Sequence, residues 1–411
     1  MFMTDIAGEE IRFPVPRDRA CPFDPPRELN RIRDEEGIVK VRTHDDQAAW
    51  LVSRYDHVRA LSSDERVSAD PGRPGYPERS ASFAATMGND RALRTLDNPE
   101  HDRQKRMIIK DFAVKRVEAM RGEIQKTVDS FLDQLVERGP GAELVEDFAF
   151  PVPVAVVCKL IGVPPSDYEF FGSRVTVVHS LTVSAEEAVA AADDLRSYID
   201  ELIDLKQKEP GDDLVSRLAQ EQLNTGGLDR RQVVEITRQM VLAGFDTTAN
   251  GIALSVVALL QHPEALQELL AHIDEPGVLV NAIDELMRYL SLTHAGRRRA
   301  VTERIEIDGK VLAPGDGLII ANHLADRDPS VFPNPERLDL RRSNARANVA
   351  FGYGIHQCPG QALSRVELQV VHSRLWRRLP GLRLAVPFEE LRFRESDLVY
   401  GLYALPVTWG E

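Results

Sequence analysis

Cys358 stands in Phe351-Gly352-Tyr353-Gly354-Ile355-His356-Gln357-Cys358-Pro359-Gly360, directly ahead of a helical pattern that runs to about Leu379. A glycine-rich turn of this kind lets the backbone pass close to a large flat partner. It also leaves one thiol just before a helix N-terminus, where amide N–H groups and the helix dipole favour a thiolate. A lone thiolate suits a single axial bond to a metal whose other ligands are already supplied. Haem iron is such a metal, and a thiolate on it favours O–O cleavage. Cys21 and Cys158 read as small packing residues; Cys158 lies in the apolar run Val154 to Ile161. Three cysteines so far apart exclude a disulfide scaffold and a Cys-x-x-Cys zinc site.

A second group is Ala243-Gly244-Phe245-Asp246-Thr247-Thr248, inside a long apolar helical pattern. A carboxylate in the middle of a buried helix is costly unless satisfied. A threonine there tends to bond the carbonyl four residues back, which loosens the ladder and opens a groove. The small residues 243 and 244 permit close approach of another group. A third group is Glu285 and Arg288, spaced as a helix-face pair. The same spacing recurs at 9–12, 28–31, 100–103, 118–121, 235–238 and 389–392, so the spacing alone says little. Its ordinary meaning is an exposed pair worth about 0.3–0.5 kcal/mol.

Taken together, these groups resemble the cytochrome P450 superfamily. Phe351, Gly354, Cys358 and Gly360 fill its haem-binding pattern Phe-x-x-Gly-x-x-x-Cys-x-Gly, and Gly352 and His356 are usual in bacterial members. The resemblance implies haem b (iron protoporphyrin IX) ligated by Cys358, with Phe351, Gly352, Gly360, Ala243 and Gly244 against it. It implies that Thr247 hydrogen-bonds the oxygen being activated and that Asp246 feeds it protons from water. Thr247 lies 111 residues before Cys358, the usual separation in the family. Glu285 and Arg288 become a buried structural pair, joined by an arginine of the proline-rich stretch; Arg337 and Arg341 are the candidates. His101, Lys105 and Arg299 fall where the family places cations on the two haem propionates. Lys105 replaces the usual arginine and lacks its bidentate fork. Asn348 replaces a usual histidine, which removes one cation there, and Pro359 replaces a usual leucine. The segment Arg66-Val67-Ser68-Ala69-Asp70 with Arg73-Pro74-Gly75-Tyr76-Pro77 is similar to the actinomycete branch, whose members oxidise macrolides, terpenoids and foreign compounds.

The partners follow from the same resemblance. No flavin or NAD fingerprint is apparent, so electrons must come from outside, from a small acidic ferredoxin with its reductase. Lys+Arg total 51 and Asp+Glu 65, a net charge of −14, which disfavours nucleic acid and anionic membranes and would also repel such a donor. The charge is uneven, however. Residues 340–380 hold seven arginines and one acid, Glu367; residues 101–118 add Arg103, Lys105, Arg106, Lys110, Lys115 and Arg116. A basic docking face is expected there. The substrate pocket is expected from the 70–96 loop, the 165–200 helices, Met240 to Thr247, Leu292 to Arg297 and Leu398 to Gly401. These are mostly apolar and point to a hydrophobic small molecule and O2, with Arg73, Arg79 and Arg297 able to pair with an acidic group.

The elements that must hold these groups are mainly helical, with a minor β part. Helical spacings cover 100–137, 165–208 and 229–261, the last a single helix about 50 Å long. Strands are expected at Gly37 to Arg42, Ala48 to Arg54, Ile305 to Ile307, Lys310 to Leu312 and Leu318 to Ala321. The implied architecture is one P450 domain over 1–411 (β-rich at about 37–55 and 300–323, helical at about 100–290 and 360–379), with haem between the long helix and the Cys loop. No stretch near the N-terminus has the apolar core of a signal peptide, so the expected protein is a cytoplasmic monomer. The expected activity is monooxygenation, hydroxylating or epoxidising an apolar natural product or xenobiotic. The alternatives are another haem reaction (nitric oxide reduction or peroxygenation) and a non-enzymatic haem sensor.

Overall fold

Alternating apolar residues make Ile38–Arg42 (β1) and Ala48–Val52 (β2) an antiparallel pair, with Ile38 opposite Val52. The computed structural model describes residues 10–19, 21–80, 84–85, 91–180, 183–290, 292–395 and 397–410. Val67–Ser68 (β3) and Arg297–Val301 (β4) were hidden in sequence, the second by three consecutive arginines. After the hairpin Ile305–Ile307 (β5) and Lys310–Leu312 (β6), Gly317–Ile320 (β7) completes a five-stranded sheet in the order β1-β2-β7-β4-β3. β7 runs parallel to β2 and antiparallel to β4. Side chains alternate across the sheet. One face buries Ile38, Val52 and Leu318, the other Val39, Leu51 and Ile319.

The helices that carry the site are Glu100–Ile108 (α1), Val114–Arg138 (α2), Pro151–Ile161 (α3), Tyr168–His179 (α4), Ala185–Lys208 (α5), Arg230–Gly244 (α6), Asp246–Gln261 (α7), Val278–Leu290 (α8) and Gln361–Arg378 (α9). Three expected helices are each interrupted. The 100–137 pattern breaks at turns over 109–113, which bury Phe112. The 165–208 pattern stops at His179, and Ser184 with Glu187 forms a capping box that starts α5 anew. The 229–261 pattern begins as expected with the Asp229–Gln232 capping box, then breaks at Phe245 (φ −82°, ψ −72°). Run together, α6 and α7 are long and apolar enough to cross a membrane, but most of that length is packed inside the fold. α9 lies along α2 and crosses α7 and α8, which brings the Cys loop beside the break.

Candidate active site

The Cys loop is closed by its own backbone. The Cys358 N–H donates to the Phe351 carbonyl at 2.9 Å, and the Gln357 N–H to the Gly354 carbonyl at 3.1 Å. Gly352 (φ +81°) and Gly354 (φ +74°) take the left-handed conformation that L side chains avoid. Space demands glycine as well: a β-carbon on Gly354 would stand 2.2 Å from the Ser62 carbonyl oxygen, and one on Gly352 2.8 Å from the Arg297 guanidinium carbon. Gly360 precedes α9, and a β-carbon there would lie 3.9 Å from Cys358 Sγ. The helix N-terminus was expected to favour the thiolate. Burial pushes the Cys358 thiol up, while Arg297, the Gly360 N–H, Arg365 and the Gln361 N–H act in the expected direction and pull it down. Arg365 also stacks on Phe351, its guanidinium carbon 4.4 Å from the ring centre, and donates to Asp284 at 2.7 Å.

Cations gather on one side of this loop. Alternation along β4 turns Arg297 and Arg299 one way and Arg298 the other, over the Phe13 ring. Arg299 is buried, donates to the Arg298 carbonyl, and acts with His101 on His356; burial holds its pKa down at about 10. The His101 and His356 rings are 4.3 Å apart. Lys105 Nζ reaches the Ile355 carbonyl at 2.5 Å, which ties α1 to the Cys loop. Arg297 Nε is buried with no protein partner among the described residues. Arg297, one of three arginines expected to be able to pair with an acidic group on the substrate, packs its guanidinium against Gly352 of the Cys loop. Asn348, expected at the haem edge, has its side chain engaged by neighbouring backbone. Its amide donates to the carbonyls of Ala345 and Asp284, and its oxygen accepts from Ala350, so its own turn consumes it.

The helix break has a local cause. Thr247 Oγ1 donates to the Ala243 carbonyl at 2.7 Å, inserting a side chain into the ladder. Asp246 is 1% exposed and fully engaged, with Arg394 at 2.7 Å, Asn250 at 2.8 Å and His179 Nδ1 at 3.2 Å. Burial would raise its pKa, but His179 and then Arg394 more than offset it and hold the carboxyl below the usual range. A β-carbon on Gly244 would stand 2.5 Å from Val157, so its smallness serves α6–α3 packing. Ala243 next to it is exposed. Thr248 lies 3.3 Å from Ser364 of α9.

Below the loop, Glu285 and Arg288 are fully buried and joined by two hydrogen bonds, 2.8 and 2.9 Å. The arginine that joins them is Arg342, which reaches both Glu285 oxygens at 3.0 and 3.1 Å. Arg337 offers only its backbone carbonyl, and Arg341 pairs with Glu268. The correction has a geometric reason: residues 337 and 341 face solvent, while 342 is turned under α8.

A family model described as cytochrome P450 matches residues 174–379. The pentalenic acid synthase of Streptomyces avermitilis is 42% identical over 408 residues, 98% of this chain and 99% of that one. The chain belongs to the cytochrome P450 family. A second P450 relative, the 20-oxo-5-O-mycaminosyltylactone 23-monooxygenase of Streptomyces fradiae, is 40% identical over 99% of this chain and 94% of its own. The crystal structure of a mycinamicin VIII C21 methyl hydroxylase from Micromonospora griseorubida superposes with a TM-score of 0.90 at 38% identity, covering 97% of this chain and all of that one. P450s bind haem through a cysteine thiolate, and this chain is an oxidoreductase of their actinomycete branch.

Within that P450 frame, the expected basic face is much reduced. Arg374, Arg377 and Arg378 pair with Asp129, Asp274 and Asp133. Arg346 and Arg365 share Asp284, and Arg103 holds Glu100 and the Gly227 carbonyl. The arginine-rich window looks unbalanced in sequence only because its acids lie elsewhere in the chain. What stays open is smaller. Arg106, Lys110 and Lys115 are exposed and have no ion pair among the described residues, and Ile109, Val114 and Ile355 are exposed near them. Of the expected pocket wall, 81–83, 86–90 and 181–182 lie outside the described residues.

Proposed function

We propose that this P450 hydroxylates or epoxidises a hydrophobic natural product or xenobiotic, taking O2 and two electrons from a ferredoxin and its reductase. The observation that carries the reading is the pairing of Cys358, at the start of α9, with the Thr247 break in the helix that crosses it. The residues fit a haem. Cys358 would hold the iron, and the partnerless Arg297 Nε with Arg299, Lys105 and His101 would meet its two carboxylates. A bound haem supplies the oxygen-activating chemistry, helped by the thiolate. Arg365, the Gly360 N–H and the Gln361 N–H soften the charge on Cys358 from the protein side. Thr247 keeps a hydroxyl at the break, and Asp246 keeps a carboxylate beside it. The named relatives make or oxidise pentalenic acid and mycaminosyl- or mycinamicin-type compounds, which supports a natural-product substrate here. We read the protein as one cytoplasmic domain over 1–411, acting as a monomer. Reduced, haem-loaded protein under carbon monoxide should show a thiolate-type Soret band, lost in Cys358→His. Apolar natural products that shift the ferric spin state should then yield products one oxygen heavier. A thiolate-type band in Cys358→His, or no mass gain with any spin-shifting ligand, would overturn the reading.

A further inference from the structure

Asp246 divides its two oxygens between two kinds of partner. Oδ1 accepts from Arg394 Nη1 at 2.7 Å and from Asn250 Nδ2 at 2.8 Å. Among the described residues, Oδ2 faces His179 Nδ1 alone, at 3.2 Å. Two donors already point at Oδ1, so a proton arriving at this carboxylate must settle on Oδ2. The group poised to deliver it is the imidazole. We propose that His179 is the residue that supplies protons to Asp246. The inference rests on the monooxygenase reading above.

The charge around the pair supports this role. Arg394 also binds Asp397 through Nε at 2.6 Å, so the buried cluster holds two carboxylates and one guanidinium. Among the described residues Arg394 is the one guanidinium that bonds these carboxylates, and His179 is the remaining group facing Asp246. Nearby His294 bonds the Asp397 carbonyl, and burial drives its pKa down to about 4, so it adds no charge. On the helices packed against α4, Asp194 pairs with Arg174, Glu235 with Arg196 and Arg238, and Lys159 with Glu123. In the transfer, the Nδ1–H bond breaks and an Oδ2–H bond forms, leaving neutral imidazole and carboxylic acid. The imidazole then recovers a proton from water. His179 is the last residue of α4 and keeps 6% of its surface exposed. His179 acts through Asp246, so it is a positioning and relay residue.

His179→Asn keeps a donor nitrogen near the Nδ1 position but has no exchangeable charge. With haem loading intact, it should lower product formed per electron pair by about tenfold and release the difference as peroxide. Wild-type coupling in this variant overturns the proposal. A second readout is independent of turnover: histidine NMR of the diamagnetic ferrous carbon monoxide form. His179 Nδ1 should carry a proton, and Asp246→Asn should move its resonance, because the facing carboxylate is replaced. An Nδ1 without a proton, or a resonance unmoved by Asp246→Asn, overturns the proposal even if coupling falls. If the wild type itself makes no oxygenated product, the monooxygenase reading fails, and the NMR comparison still decides the His179–Asp246 pair.

Discussion

The Thr247 hydroxyl donates to the Ala243 carbonyl at 2.7 Å, at the point where one long helix becomes two. The hydroxyl both makes the break and sits in it. Thr247→Ala removes the oxygen and lets the ladder close. The expected result is near-normal electron uptake with product yield down by about tenfold and peroxide up accordingly. Thr247→Ser keeps the hydroxyl and should keep most of the coupling. Equal coupling in the alanine and serine variants would show that the hydroxyl plays no part.

Glu285 tests the packing below the loop. It accepts from Arg288 and Arg342, all three within 7% exposure, and from the Asp339 N–H. Glu285→Ala leaves two buried guanidinium groups without their carboxylate and should cost about 3–5 kcal/mol. Arg342→Ala should cost nearly as much. Arg337→Ala, whose side chain is exposed, should stay within about 0.5 kcal/mol. Urea midpoints of the haem-loaded proteins rank the three. A larger loss at Arg337 than at Arg342 would return the role to Arg337.

What could be read in advance followed the range of the contacts. The Cys loop and the Thr247 bond are local, and their residues lie together in the chain, so type and spacing were enough. Asp246 was visible, but its partners His179 and Arg394 lie 67 and 148 residues away and carry no signal of their own. The same distance hid Arg342, 57 residues from Glu285, behind two more plausible arginines. It also hid the acids of α2 that neutralise α9, 245 residues apart. β4 was missed because its arginines alternate between two buried sides of a sheet, a pattern that on its own looks solvated.

The docking surface now has a narrower test. Lys110→Glu and Lys115→Glu reverse charges that have no partner among the described residues, so they should weaken steering of an acidic ferredoxin. Ferredoxin-supported turnover should fall by about tenfold at low salt, with the deficit smaller at high salt. Peroxide-supported turnover should be unchanged. Arg377→Glu disturbs a group already paired with Asp274 and should have the smaller effect. If Arg377 proves the more sensitive site, the docking face lies elsewhere.

Glu367 gives stability a predictable pH dependence. It is 1% exposed inside α9, its Oε1 has no hydrogen-bond partner among the described residues, and burial raises its carboxyl from 4.5 to about 8. The folded state therefore binds this proton more tightly than the unfolded chain does. The stability it contributes is whole below about pH 4.5, shrinks as pH rises, and is gone above about pH 8. Glu367→Gln keeps the shape of the neutral acid and cannot ionise. Its melting temperature should match wild type near pH 5, exceed it by a margin that widens up to about pH 8, and hold that margin to pH 9. Thermal melts of both proteins across that range make the comparison. A margin that stays constant with pH would mean the wild-type carboxyl is already ionised at pH 5, held by a partner that offsets its burial.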